Sequence, residues 1–70
     1  MERRKLGSGH LKSAGYDERN RLLEIEFANG TIVQYSGVSP EVYRRLVNSP
    51  SPISYFRDHI EEEYTGRRIK

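Results

Sequence analysis

The chain has 70 residues, with twelve Lys and Arg against ten Asp and Glu and no cysteine. That length makes one domain with a modest core, worth only about 3–5 kcal/mol net, and leaves little wall to enclose a water-excluding catalytic cleft. The lack of cysteine excludes a disulfide framework and a thiolate metal site, and no apolar run approaches the roughly 20 residues that span a bilayer.

The net charge of +2 is unevenly placed. Arg3, Arg4, Lys5, Arg67, Arg68 and Lys70 cluster near the two ends of the sequence, against Glu2 alone. Between Leu6 and Gly66 six cations face nine carboxylates, a net of −3. Basic tails of this kind gain affinity for any phosphate polymer through counterion release, without sequence preference. They also serve simply as solvating charge. No apolar stretch follows Met1-Glu2-Arg3-Arg4-Lys5, so no secretory signal is read and a cytoplasmic location is expected.

Residues 1–9 read as a flexible basic arm, charged and then Gly7-Ser8-Gly9, with Leu6 the only apolar side chain after Met1. Leu11 to Tyr16 reads as a weak strand. Its apolar positions Leu11, Ala14 and Tyr16 switch parity, which signals a bulge or an irregular edge. Asp17-Glu18-Arg19-Asn20 is a polar turn. Arg21 to Ala28 is a clearer strand, with Leu23, Ile25 and Phe27 alternating with Glu24 and Glu26. Asn29-Gly30 marks a hairpin, and Thr31 to Val38 is the return strand.

The hairpin register decides what Tyr35 does. A two-residue turn would set Phe27 opposite Ile32 and put Val33 and Tyr35 with the glutamates. A three-residue turn with Gly30 left-handed sets Phe27 opposite Thr31 and collects Leu23, Ile25, Phe27, Val33 and Tyr35 on one face. The second register is the expected one, although it places Ile32 beside Glu26.

Ser39-Pro40 opens a helix, serine as N-cap and proline at the first helical position. Val42, Tyr43, Leu46 and Val47 form its inward stripe, and Asn48 closes it. Ser49-Pro50 cannot continue it. A second helix is expected from about Pro52 to Tyr64, with Ile53, Phe56, Ile60 and Tyr64 on one face and Gly66 as its stop. The predicted fold class is α+β: a three-stranded antiparallel β-meander followed by two helices packed on one face, in the order β-β-β-α-α. The expected domain spans residues 10–65, with residues 66–70 a basic tail.

This pattern resembles the KTSC domain, a short bacterial and phage module found at the C-terminus of some lysyl-tRNA synthetases and as stand-alone proteins. The resemblance rests on Gly15-Tyr16-Asp17, Leu23-Glu24-Ile25-Glu26-Phe27 with Gly30, Tyr35 with Val38, Ser39-Pro40-Glu41-Val42-Tyr43, and Ser51 with Tyr55-Phe56 and Ile60. It covers roughly Leu11 to Tyr64, and the ordered set rather than any one piece carries it. Two positions depart. The family's Tyr-x-Tyr is here Val33-Gln34-Tyr35, and its glycine after the serine of the second helix is Pro52. Loss of one tyrosine favours a core role for that pair over a base-stacking one. The resemblance implies the fold, and its synthetase context implies an RNA ligand.

Aromatic side chains beside positive charge can stack nucleobases. Phe27, Tyr35, Tyr43, Phe56 and Tyr64 fall on faces assigned to the core, which leaves Tyr16 and Tyr55 as candidate stacking residues. Arg44, Arg45 and Arg57 are the candidate phosphate contacts. His59 with Glu62 and Glu63 has helical spacing, but three ligands without cysteine or a second histidine make a poor metal site. No nucleophile with a base, carboxylate pair or phosphate-cradling glycine loop is present, so a non-enzymatic module without cofactor is expected. The first functional expectation is RNA binding, tRNA-like RNA included, through Tyr16, Arg44, Arg45, Tyr55 and Arg57. The alternative is a protein partner that adds a strand to an exposed edge, for which Leu11–Tyr16 is the candidate. No membrane contact is expected, and the same edge would support at most a weak dimer.

Overall fold

The computed structural model describes residues 3–7 and 9–70. Its sheet has five antiparallel strands in sequence order: β1 (Arg3–Lys5), β2 (Leu11–Asp17), β3 (Leu22–Phe27), β4 (Ile32–Ser36) and β5 (Gly66–Arg68). Between β4 and β5 come α1 (Pro40–Asn48) and α2 (Pro52–Phe56), the latter continued by a π-helical turn over Arg57–Glu61. The expected meander is its central part. The expectation of three strands is corrected to five: Arg3–Lys5 of the expected arm pairs with β2, and Gly66–Arg68 of the expected tail pairs with β4. Met1, Glu2 and Ser8 of that arm lie outside the described residues.

The β3–β4 register is the three-residue-turn one, with Leu23 opposite Tyr35, Glu24 opposite Gln34 and Ile25 opposite Val33. Gly30 sits at φ +91°, where a glycine carries no Cβ penalty, and the Phe27 amide donates to the Thr31 carbonyl at 2.8 Å. The parity switch in β2 is a bulge between Leu11 and Ser13. It returns Ala14 and Tyr16 to the face of Ile25 and Leu23, their cross-strand partners. Ile32 is buried although it stands opposite Glu26. The chain after β5 covers it: the Ile32 amide donates to the Lys70 carbonyl at 3.0 Å, and the Ile69 amide donates back to the Ile32 carbonyl at 2.9 Å.

Both helices lie on one sheet face. Ser39 caps α1 by accepting from the Val42 amide at 3.4 Å, with Pro40 at the first position. Ser51 does not cap α2 in this way; its hydroxyl donates to Ser54 Oγ at 3.0 Å. The second helical segment ends at Glu61 rather than at Tyr64. Glu61, Glu62 and Glu63 crowd negative charge where the helix dipole already points its negative end. Leu11, Ala14, Leu23, Ile25, Val38, Leu46 and Ile60 are fully buried, and Phe56 very nearly so. Phe56 meets both Phe27 and Tyr35 edge-on, each with ring centroids 5.7 Å apart, which ties the second helix to β3 and β4.

Gly66 is a strand residue rather than a helix stop. It pairs with Tyr35, whose ring lies across it: a Cβ at Gly66 would stand 2.7 Å from Tyr35 Cε1 and 3.0 Å from Val33 Cγ1. Only glycine lets β5 approach this closely while the aromatic side chain fills the space above it.

Candidate nucleic-acid interface

The five residues read from the sequence as an interface lie on different parts of the helical side. Tyr16 is half-buried, its ring stacked on Tyr43 with centroids 5.1 Å apart, and its hydroxyl donates to the Val38 carbonyl. Burial pushes its hydroxyl above the usual tyrosine range, with Glu18 and Asp17 adding to the effect and Arg21 opposing it. One ring face and the hydroxyl are therefore committed to packing. Tyr55 is half-buried against His59, ring centroids 4.7 Å apart. Arg44 is exposed, and its carbonyl accepts from the Asn48 side chain at 2.9 Å. Arg45 pairs with Glu41 one turn earlier at 2.5 Å, a solvent-exposed contact of little energetic weight. Arg57 is exposed at the start of the π turn. Among the described residues no hydrogen bond or ring contact joins Tyr16 or Tyr55 to any of these arginines.

Tyr35 is a core residue, 5% exposed, with its hydroxyl pushed upward by burial and then by Glu61. Asp17 is held below the usual carboxylate range by the Asn20 side chain, which donates to it at 2.8 Å. Among the described residues no group of three or more His, Cys, Asp or Glu side chains could hold a metal ion. No helix there is long and apolar enough to cross a membrane.

The helix-free face of the sheet has a different chemistry. Tyr16, Phe27 and Tyr35, the aromatic residues of the described strands, all point to the helices. The open face carries instead an acidic centre on β3 flanked by cations. Arg3 reaches across Gly15 to Glu24 at 2.6 Å and to Glu26 at 3.7 Å. Glu24 also accepts from Gln34 at 3.3 Å, and Glu26 from Ser13 at 2.9 Å. A base-stacking platform on this face is absent, and its carboxylates would repel a phosphate chain laid across the middle.

The two ends of the sheet contrast more sharply. At the end where β3 turns into β4, the register aligns Lys5 with Ser13, Ser13 with Glu26, and Glu26 with Ile32. Ile32 in turn bonds to Ile69 and Lys70. Four inter-strand steps of about 4.8 Å make this row on the order of 19 Å wide. Lys5, His10, Lys12 and Lys70 belong to it or to the adjoining loop, and Arg68 stands in the next row, opposite Val33. The segments that build this end, residues 5–12, 27–31 and 68–70, contain no aspartate or glutamate. Glu26, the nearest carboxylate in the row, is occupied by Arg3, Ser13 and Lys12, the last at 3.9 Å. The other end carries Asp17 and Glu18 with Arg19 and Arg21 at the β2–β3 turn, charges of both signs. Two open depressions mark the basic end. One, of about 430 Å³, is lined by Lys5, Gly7, Leu11, Lys12 and Ala28. The second, of about 300 Å³, is lined by His10, Phe27, Ala28, Asn29 and Thr31. Lys5, Arg68 and Lys70 stood out in the sequence only as charges of basic tails, not as parts of one sheet end. Their signal there is the absence of carboxylates from three separate segments, and it gains meaning only once β1 and β5 bring those segments together.

A five-stranded antiparallel sheet with both helices on one face defines a small α+β domain. The KTSC domain family model matches residues 7–64, and the chain belongs to that family. Its fold matches the crystal structure of a KTSC domain protein from Yersinia pestis, with TM-score 0.94 and 30% identity over 99% of this chain and 97% of that one. An uncharacterized protein of Stutzerimonas stutzeri is 34% identical over 64 residues, 91% of this chain and 90% of that protein. A lysine–tRNA ligase of Nostoc punctiforme is 29% identical over 59 residues, 84% of this chain. The chain spans only 10% of that ligase.

Proposed function

We propose that this KTSC domain is a non-catalytic RNA-binding module that holds the phosphate backbone on the basic end of its sheet. The observation that carries this reading is that Lys5, Lys12 and Lys70 share one end of the sheet, built from segments without aspartate or glutamate. Lys5 and Lys70 have no ion-pair partner among the described residues, and Lys12 shares Glu26 with Arg3 at a loose 3.9 Å. Cations so placed neutralise phosphates and release their counterions, which supplies most of the affinity for a nucleic acid backbone. The similarity to part of a lysine–tRNA ligase supports RNA as the polymer. The row's width, about 19 Å by strand spacing, is enough for a few consecutive nucleotides.

A partner strand added to a sheet edge is the less supported alternative. The expected edge, Leu11–Tyr16, is paired on both sides, with β1 and β3. The edges are the three-residue strands Arg-Arg-Lys and Gly-Arg-Arg, short and charged in the manner that discourages strand addition.

Titration of mixed tRNA by fluorescence anisotropy at several salt concentrations tests the proposal. Replacing Lys5, Lys12 and Lys70 together by alanine is expected to lower affinity more than ten-fold at low salt and to flatten the slope of log affinity against log salt by about 2, as loss of roughly three phosphate contacts requires. The control Arg44→Ala with Arg45→Ala and Arg57→Ala is expected to change affinity less than three-fold. The reverse pattern would move the contact to the helices.

A further inference from the structure

We infer that the two depressions at the basic end receive consecutive unstacked bases, so that the RNA recognised there is single-stranded. This rests on the RNA-binding reading and adds to it the form of the ligand. Phosphate contacts alone would need only charge. The end of the sheet offers charge and cavities together. The larger depression is lined by the cations Lys5 and Lys12 with Gly7 and the exposed Ala28, over the buried Leu11, and is mostly apolar. That combination fits a nucleotide, whose flat base seeks apolar cover while its phosphate seeks an ammonium group. The smaller depression shares Ala28 with the larger one and offers different groups. Phe27 lines it in part, although its ring packs on Phe56, and Asn29 accepts from the Thr31 amide through Oδ1 at 3.0 Å. Its NH2 group has no partner among the described residues and can donate to a base edge. The shared wall of the two recesses is held in place, since the Ala28 amide donates to the His10 carbonyl at 3.0 Å and so ties the hairpin to the loop after β1.

Other candidates lead less far. The open sheet face has its central cation, Arg3, spent on Glu24 and Glu26. The Tyr55–His59 pair lies close to Asp58 and Glu62 in sequence, which would repel a phosphate. A base in a duplex is stacked on both sides and cannot enter either recess, whereas an unpaired one can be splayed into it.

The test compares three probes on the full chain at 50 and 150 mM salt by anisotropy: a mixed-sequence RNA octamer, the same octamer with abasic residues, and a blunt duplex of equal length. The intact octamer is expected to bind at least ten-fold tighter than the abasic one and tighter than the duplex. Ala28→Phe, which fills the shared wall without touching a charge, is expected to erase that preference and leave duplex affinity and the salt slope unchanged. Ala28→Leu serves the same purpose should the larger side chain impair folding, which circular dichroism reports. Equal affinity for intact and abasic octamers, or a preference that survives both substitutions in folded protein, would overturn the inference and leave RNA binding standing. No binding to any probe at 50 mM salt would overturn both.

Discussion

β2, β3 and β4 are held together by what they bury, whereas β1 and β5 are held by backbone pairing, ion pairs and the absence of a side chain. Ala14, Leu23, Ile25 and Tyr35 of the central strands face Leu46, Phe56 and Ile60 of the helical side in one core. Every residue of β1 and β5 is exposed. Arg3 anchors the first outer strand on Glu24 and Glu26, and Gly66 lets the last one lie under the Tyr35 ring. The central strands thus provide stability and the outer strands provide the cations at the sheet's edges. A domain of this size has little core to spare, and adding basic strands to its rim extends a charged surface without disturbing that core.

This division can be broken from either side, with effects of different size. Ile25→Ala removes a fully buried side chain from the middle strand. It is expected to cost about 2–5 kcal/mol, enough to unfold a large fraction of the protein, as thermal denaturation would read. Gly66→Ala acts on the rim alone. The new methyl meets Tyr35 and Val33, so β5 must separate or Tyr35 must turn. A loss of about 1–3 kcal/mol is expected, the range for overpacking, with faster hydrogen exchange at the Ile69 amide and little change at Ile25. Glu24→Gln removes the carboxylate that Arg3 grips and is expected to cost at most about 1 kcal/mol, because the pair is partly solvated. Its signature is local: the Leu6 amide, bonded to the Lys12 carbonyl at 3.1 Å, should exchange faster while the core amides keep their protection.

The same division explains what could be read without coordinates. The alternation Leu23, Ile25, Phe27 and the Asn29-Gly30 turn determined the hairpin register, since only one turn length put Val33 and Tyr35 on the apolar face. Ser39-Pro40 announced the first helix, and the parity switch in Leu11 to Tyr16 announced the bulge. Arg3-Arg4-Lys5 and Gly66-Arg67-Arg68 carry no alternation because neither strand buries an apolar side chain, so a signal built on hydrophobic period passes over them. The proposed interface was hidden for the same reason. Arg44, Arg45, Tyr55 and Arg57 stand out on helix faces that the period makes legible. Lys5, Lys12 and Lys70 are separated in sequence and come to share one end of the sheet only through strands whose pairing the period does not report.

The central claim is that the outer strands turn the β3–β4 hairpin end of the sheet into the RNA-binding surface. An amide-resolved NMR titration with mixed tRNA at low and moderate salt tests it most directly. The account predicts shifts that persist at moderate salt and cluster at Lys5, His10, Lys12, Ala28, Thr31 and Lys70, with Asp17, Glu18 and Glu61 unmoved. Shifts centred on Tyr16, Arg44, Arg45, Tyr55 or Arg57, or shifts absent at both salt concentrations, would contradict it.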